Sequence, residues 1–340
     1  MYTNQLHTSF RFKKLITRFA HYAPAAVFSE YFHLLLQNGK RVKAAVLAIC
    51  LPFMLVAQAN GDFPEPYDWA SPAASFEMAD ELREISGLSI VPNSPYLYAI
   101  QDEDGILFLV DREDGRIVQQ IPFWKEGDYE GVEYVKGDVY VVKSTGTIYH
   151  IKAPGTAAQE VIKHNGFLGG DNDIEGLGYD AARNMLLLAC KAEPGEDIDP
   201  NRFKAIYGFD IASKAFISEP LLLLDRKAVD NYLSSCSPGP DHHKLCDIFS
   251  REKEDFDLSP AAMAVHPITK HYYMTSAKGN LLLIIDSSGS ILHIDKLPKS
   301  LHRQPEGLCF DEQGNLYISN EQKKDNEAVI HFYTYNPNRP

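Results

Sequence analysis

An all-β fold, a β-propeller of five blades, is what this sequence predicts, and two observations predict it. The first is a repeat. Asp173-Ile174-Glu175-Gly176-Leu177-Gly178-Tyr179-Asp180 returns as Asp128-Tyr129-Glu130-Gly131-Val132-Glu133-Tyr134 and as Gln304-Pro305-Glu306-Gly307-Leu308-Cys309-Phe310-Asp311. Glu84-Ile85-Ser86-Gly87-Leu88-Ser89 is a weaker copy, and Ser259-Pro260-Ala261-Ala262-Met263-Ala264 the weakest. The glycine position falls at 87, 131, 176, 262 (an alanine) and 307, at intervals of 44, 45, 86 and 45, which is the period of a propeller blade. The second observation is that each copy leads into a turn and then a strongly β-prone run. These runs are 96–100, 139–142, 185–189, 271–274 and 315–319, each trailed by a third strand at 106–110, 147–151, 205–209, 280–285 and 329–333. Gly or Asp-Gly marks the joins, as hairpins require.

Taken in order, residues 1–59 stand outside the repeat. They hold seven Lys and Arg and a single acid, Glu30. Gly39-Lys40-Arg41-Val42-Lys43 precedes 14 apolar residues, Ala44 to Ala57, and then Gln58-Ala59. A basic region, an apolar stretch and an Ala-x-Ala end read as a secretory signal cut near Ala59. The alternative is a retained anchor that attaches the protein to a membrane, although 14 residues are short of the roughly 20 a helical span needs. Residues 1–38 sit oddly ahead of such a signal, and translation is expected to start nearer Leu34–Val42.

Residues 60–74, with Pro64, Pro66 and Pro72, are an extended lead-in to a propeller spanning 75–336. Ser75 to Ala79 is a strand with no place in the first blade, and the last repeat ends one strand short. Giving that strand to the last blade closes the ring and removes its open edges. Blade one is then 84–124 and blade two 128–164. Blade three begins at Asp173, blade four spans 258–297 and blade five 304–336. The 86-residue interval holds an insert, 226–255, with helical character and no strand-like run, so five blades with one decorated loop is the count. Loops of this kind gather on one face of a ring, and the insert is expected there.

The folded part is acidic. Residues 60–340 hold 26 basic against 45 acidic residues, a net charge of −19. That excludes nucleic acid as a partner, because phosphate contact needs a basic face. Cys190 and Cys309 fall in strands, where buried free thiols are common. Cys236 and Cys246 flank a nine-residue loop, and in an exported protein a local disulfide is expected. The rival is a zinc site of Cys236, His242, His243 and Cys246, at a spacing that matches no standard zinc pattern.

The ordered set Glu84-Ile85-Ser86-Gly87-Leu88, Asp128-Tyr129-Glu130-Gly131-Val132, Asp173-Ile174-Glu175-Gly176-Leu177 and Pro305 to Asp311 resembles the SdiA-regulated (YjiK-like) family of bacterial envelope proteins. The likeness covers residues 75–336. It implies a five-bladed propeller akin to NHL-repeat and TolB-like proteins, a bound calcium ion and a location in the cell envelope, periplasmic or at the plasma membrane. It implies no particular reaction. Ala261 departs from the pattern, which carries an acid or a hydroxyl there, and so does the long insert.

The first strand of each blade lines the central channel, so equivalent positions converge. Glu130, Glu175 and Glu306 share one ring with Ser86 and Ala261, and Asp128, Asp173, Gln304, Glu84 and Ser259 form a second ring two residues earlier. The second strands lead into further acids at Glu103, Glu193 and Glu321. Gathered carboxylates repel unless a cation or protons neutralise them. The expected site is therefore Ca²⁺ held by Glu130, Glu175 and Glu306 with help from Glu321 or Glu193, since hard oxygen donors in a flexible cage suit that ion. The alternative is that each glutamate caps local backbone amides.

His164, His266 and His302, near the joins between blades, are candidate general bases, and Lys191 is another. No nucleophile elbow, phosphate loop or zinc-protease signature is present. Two functions remain open: a calcium-binding module for an envelope ligand or protein, or a calcium-dependent hydrolase of an ester, lactone or phosphoester.

Overall fold

The computed structural model describes residues 63–235, 241–249, 255–324 and 326–339. The expected signal or anchor at 1–59 and Cys236 lie outside the described residues. Five four-stranded antiparallel sheets carry the chain. Blade one is β2 (Ile85–Ile90), β3 (Tyr96–Gln101), β4 (Ile106–Asp111) and β5 (Ile117–Pro122). Blade two is β6 (Tyr129–Val135), β7 (Asp138–Lys143), β8 (Ile148–Lys152) and β9 (Glu160–His164). Blade three is β10 (Ile174–Asp180), β11 (Met185–Cys190), β12 (Phe203–Asp210) and β13 (Ala215–Asp225). Blade four is β14 (Pro260–Val265), β15 (Tyr272–Ser276), β16 (Leu281–Ile285) and β17 (Ile291–Lys296).

Blade five is β18 (Pro305–Phe310), β19 (Leu316–Asn320) and β20 (Val329–Tyr333), completed by β1 (Ala74–Glu77) from the start of the chain. β1 runs antiparallel to β20 in the register Ala74 to Phe332, Ser75 to His331, Phe76 to Ile330 and Glu77 to Val329. The ring therefore closes as expected, and the edge of β20 is covered. The inner strands β2, β6, β10, β14 and β18 touch in cyclic order around the axis.

The strand sequences match their depth. The second and third strands lie between blades, and β11 (MLLLAC) and β16 (LLLII) are apolar almost throughout. The outer strands β5 (IVQQIP) and β9 (EVIKH) carry polar residues to solvent. Each of five apolar clusters fills one seam between neighbouring blades. Burial of this kind contributes roughly 25 cal/mol per Å². Cys190 and Cys309 are buried free thiols, as their strand positions predict.

Two segments outside the blades pack into the seams. The lead-in is not a passive connection: Tyr67 and Trp69 are buried in the seam between blades four and five. Tyr67 Oη donates to the Gly314 carbonyl at 2.6 Å and sits 3.0 Å from His266 Nε2. The insert forms α1 (Arg226–Ser235) and α2 (His242–Ile248). Val229, Leu233, Leu245, Phe249 and Phe256 join the seam between blades three and four, and α1 packs on the outermost strands β13 and β17. Apolar side chains at helical spacing fix the insert on that seam. Cys246 on α2 is an exposed free thiol, 3.5 Å from His242 Nε2.

Candidate functional site in the central channel

Every inner strand breaks register at the same place. The pairing slips between Ile85 and Gly87, Tyr129 and Gly131, Ile174 and Gly176, Pro260 and Ala262, and Pro305 and Gly307. The extra residue in each bulge is Ser86, Glu130, Glu175, Ala261 or Glu306. A bulge leaves one residue unpaired and re-aims its side chain. Four of the five re-aimed residues, Ser86, Glu130, Glu175 and Glu306, line one cavity of about 10 Å³, with Gly87, Gly131, Ala262 and Gly307 beside them. The glycine after each bulge serves close approach of the strands. A Cβ on Gly131 would lie 2.5 Å from Leu177 Cβ of the next blade.

The glutamates share an uneven electrostatic environment. Burial, then the charges of Glu175 and Asp128, push the Glu130 carboxyl up to about 10. Burial, then Glu175 and Glu321, push Glu306 up to about 7, with Lys191 and Gln304 opposing. Glu175 is also raised by burial, although Lys191 Nζ donates to its Oε1. Lys191 in turn is held charged and lies 3.6 Å from Asp173 Oδ2. Its ammonium is a cation that the protein itself supplies to this ring.

A further ring, behind the first, is set by the residue after each second strand. The amides of Asp102, Lys191 and Glu321 donate to the carbonyls of Glu84, Asp173 and Gln304 at 3.3, 2.8 and 3.1 Å, and Ser144 donates likewise to Asp128 at 3.0 Å. Asp102 is pushed up to about 6 by burial and by Glu84, and its Oδ1 is buried without a hydrogen-bond partner. Glu321 is raised by burial, Asp102 and Glu84, and accepts from Gln304 Nε2.

Glu130, Glu175 and Glu306 are therefore brought together, with Glu321 coupled behind Glu306. Glu193 and Glu103 are not. Both are exposed, and the charge of Glu193 acts on Lys204. The equivalents of Glu321 are Asp102 and Lys191, which stand one residue before Glu103 and two before Glu193. The signal that could have found them is the count from the glycine repeat to the end of the second strand. The channel carboxylate oxygens do not converge on one point: among the described residues only Glu65, His293 and Asp295 place three metal-ligating atoms within 4.8 Å of one another.

The three histidines stand elsewhere. His266 Nε2 meets Tyr67 Oη, and His302 Nε2 meets Tyr333 Oη at 2.6 Å. His164 ends the outer strand β9. None lines the channel cavity. A larger open cavity of about 720 Å³ lies beside the closing strand, with Arg303, Asn320, Glu321 and His331 among its walls.

A family model described as SdiA-regulated matches residues 68–324. Among solved structures, the glutaminyl cyclase of Myxococcus xanthus aligns with a TM-score of 0.50 at 11% identity, over 78% of this chain and 96% of that one. The PQQ-bound aldose sugar dehydrogenase of Streptomyces coelicolor aligns with a TM-score of 0.44 at 11% identity, over 77% and 97%. A luciferin-regenerating enzyme aligns with a TM-score of 0.44 at 12% identity, over 78% and 95%. At such identities the first of these speaks for the fold alone.

Proposed function

The chain belongs to the SdiA-regulated family, and from that premise we propose that it is an exported calcium-binding propeller that holds an envelope ligand or protein. The observation that carries the calcium reading is the sharing of one ion-sized cavity by glutamates from three blades, against a single lysine. The donor set fits a hard cation, since every group offered is a carboxylate oxygen. Glu130 and Glu306 would hold the ion first, Glu175 would join as Lys191 moves aside, and Glu321 would back Glu306. The bound cation would neutralise these carboxylates and so stabilise the inner ring.

The signal-like stretch before residue 60 and the acidic folded part support export. The open polar cavity beside Glu321 and Arg303 offers room for a small polar ligand next to the channel. The histidines stand away from the channel, and Lys191, the remaining candidate base, is held charged against Glu175; both favour a binding module over a hydrolase, which needs a base within hydrogen-bond reach of the reacting group.

Calorimetric titration of the chelator-treated protein with Ca²⁺ tests the reading, alongside thermal melting. One equivalent should bind, and a concentration one hundred times Kd should add about 2.7 kcal/mol of stability. Glu130→Gln and Glu306→Gln should each weaken binding while the fold is kept. No binding, with melting indifferent to chelator, would leave the glutamates as structural residues alone.

A further inference from the structure

A second cluster of metal-ligand side chains lies at the outer rim, away from the channel. His293 and Asp295 are two residues apart on β17, so both side chains leave the same face of the strand. Glu65 reaches them from the lead-in. His293 Nε2 lies 3.7 Å from Glu65 Oε1 and 3.9 Å from Asp295 Oδ2, and it is buried with no hydrogen-bond partner. Those separations are too long for a hydrogen bond. They suit two ligands of one ion: at about 2.1 Å from the metal, donors stand about 3.4 Å apart at the tetrahedral angle and about 4.2 Å apart when opposed.

The surroundings point the same way. Each carboxylate has one oxygen engaged and the other turned to the imidazole. Glu65 Oε2 faces Arg339 Nη1 at 3.9 Å, and Asp295 Oδ1 accepts from the Lys296 amide at 2.7 Å. His293 Nδ1 faces Tyr232 Oη of α1 at 3.5 Å, and Phe63 stacks on the ring at a centroid distance of 5.4 Å. A metal-bound imidazole keeps its proton on the nitrogen that meets such an outer partner. The cluster thus joins the lead-in, the outer strand of blade four, the insert helix and the C-terminal Arg339.

We propose that Glu65, His293 and Asp295 bind a first-row divalent metal, Zn²⁺ foremost, and that the ion staples the lead-in to blade four. The imidazole separates this site from the all-oxygen channel: nitrogen with carboxylates suits Zn²⁺, and oxygen alone suits Ca²⁺. Three protein ligands leave the fourth position of a tetrahedral ion to water.

Co²⁺ added to the metal-stripped full chain reads the site through its visible absorption. One equivalent should bind, be displaced by Zn²⁺ and not by Ca²⁺, and slow amide exchange across residues 63–70. His293→Gln, Asp295→Asn and Glu65→Gln should each weaken binding by about tenfold or more, since loss of even an outer partner of a ligand costs about 10–100-fold. Glu65 is exposed, so that variant keeps the test valid if a change on β17 disturbs folding. The His242→Ala, His243→Ala double variant should bind as before. Absence of bound Co²⁺ overturns the proposal. So does binding that survives the three substitutions, or that is lost with His242 and His243.

Discussion

Lys191, the residue just past β11, donates from Nζ to Glu175 Oε1 on the inner strand β10 and faces Asp173 Oδ2 at 3.6 Å. One ammonium thus serves two acids of blade three, while Glu130 and Glu306 have no such partner among the described residues. In blade two the equivalent residue is Ser144, which donates to Asp128 and brings no charge.

Replacing Lys191 by Met separates the two roles of that ammonium. Without calcium, denaturant melts should show a loss of about 1–3 kcal/mol, because Glu175 is left buried and unpaired while the partly exposed lysine limits the effect. With calcium, calorimetry should show tighter binding, because the competing cation is gone. Weaker calcium binding in Lys191→Met would show that the lysine supports the site.

Stability should fall on both sides of a pH optimum. His302 and His266 are held down to about 3 and about 4, in each case mainly by burial. Unfolded histidine titrates near about 6.5, so between there and pH 4 the unfolded chain takes up protons that the folded one refuses. Stability therefore drops as pH falls through that window. Glu133 behaves oppositely: burial pushes it up to about 8 against its bonds to Ser89 and Tyr179. Its contribution is complete below the unfolded value of about 4.3 and lost as pH rises through 8. Glu133→Gln should flatten the alkaline arm and His302→Gln the acid arm in melts at pH 5, 7 and 9; an unaltered profile in both would refute the assignment.

Removing the Tyr67 hydroxyl tests the lead-in as part of the core. Tyr67→Phe leaves the Gly314 carbonyl and His266 Nε2 without their shared partner, at a cost of about 1–3 kcal/mol in chemical denaturation. Deletion of residues 60–82 goes further, since it uncovers β20 and should cause concentration-dependent aggregation in light scattering. A soluble deletion variant with unchanged melting would argue against closure through β1.

Gly131→Ala tests the close approach of inner strands. Its Cβ would stand 2.5 Å from Leu177 Cβ, so the ring must widen or shift. Overpacking of this kind costs about 1–3 kcal/mol. Thermal melting should report it, and a neutral outcome would mean the inner ring relaxes freely.

The sequence by itself determined the number of blades, their boundaries and the closing strand. Those depend on local signals: a glycine repeat near 45 residues, two-residue alternation and turn chemistry, all contained within one blade. It also named Glu130, Glu175 and Glu306 as a converging set, because equivalent positions in a closed ring must face one axis. Only the tertiary structure decided what surrounds them. The bulge before each glycine aims the glutamates inward, and a one-residue change of register reverses a side chain, so Asp102 rather than Glu103 faces Glu84. In blade three the matching position is a lysine, Lys191, which a search for acids passes over in favour of Glu193 two residues on. Tyr67 and Gly314 are 247 residues apart, and the site at Glu65 and His293 spans almost as far. No periodicity reports such a meeting. It arises when ring closure brings the two ends of the chain to the same blades, where burial and hydrogen-bond geometry select the contact.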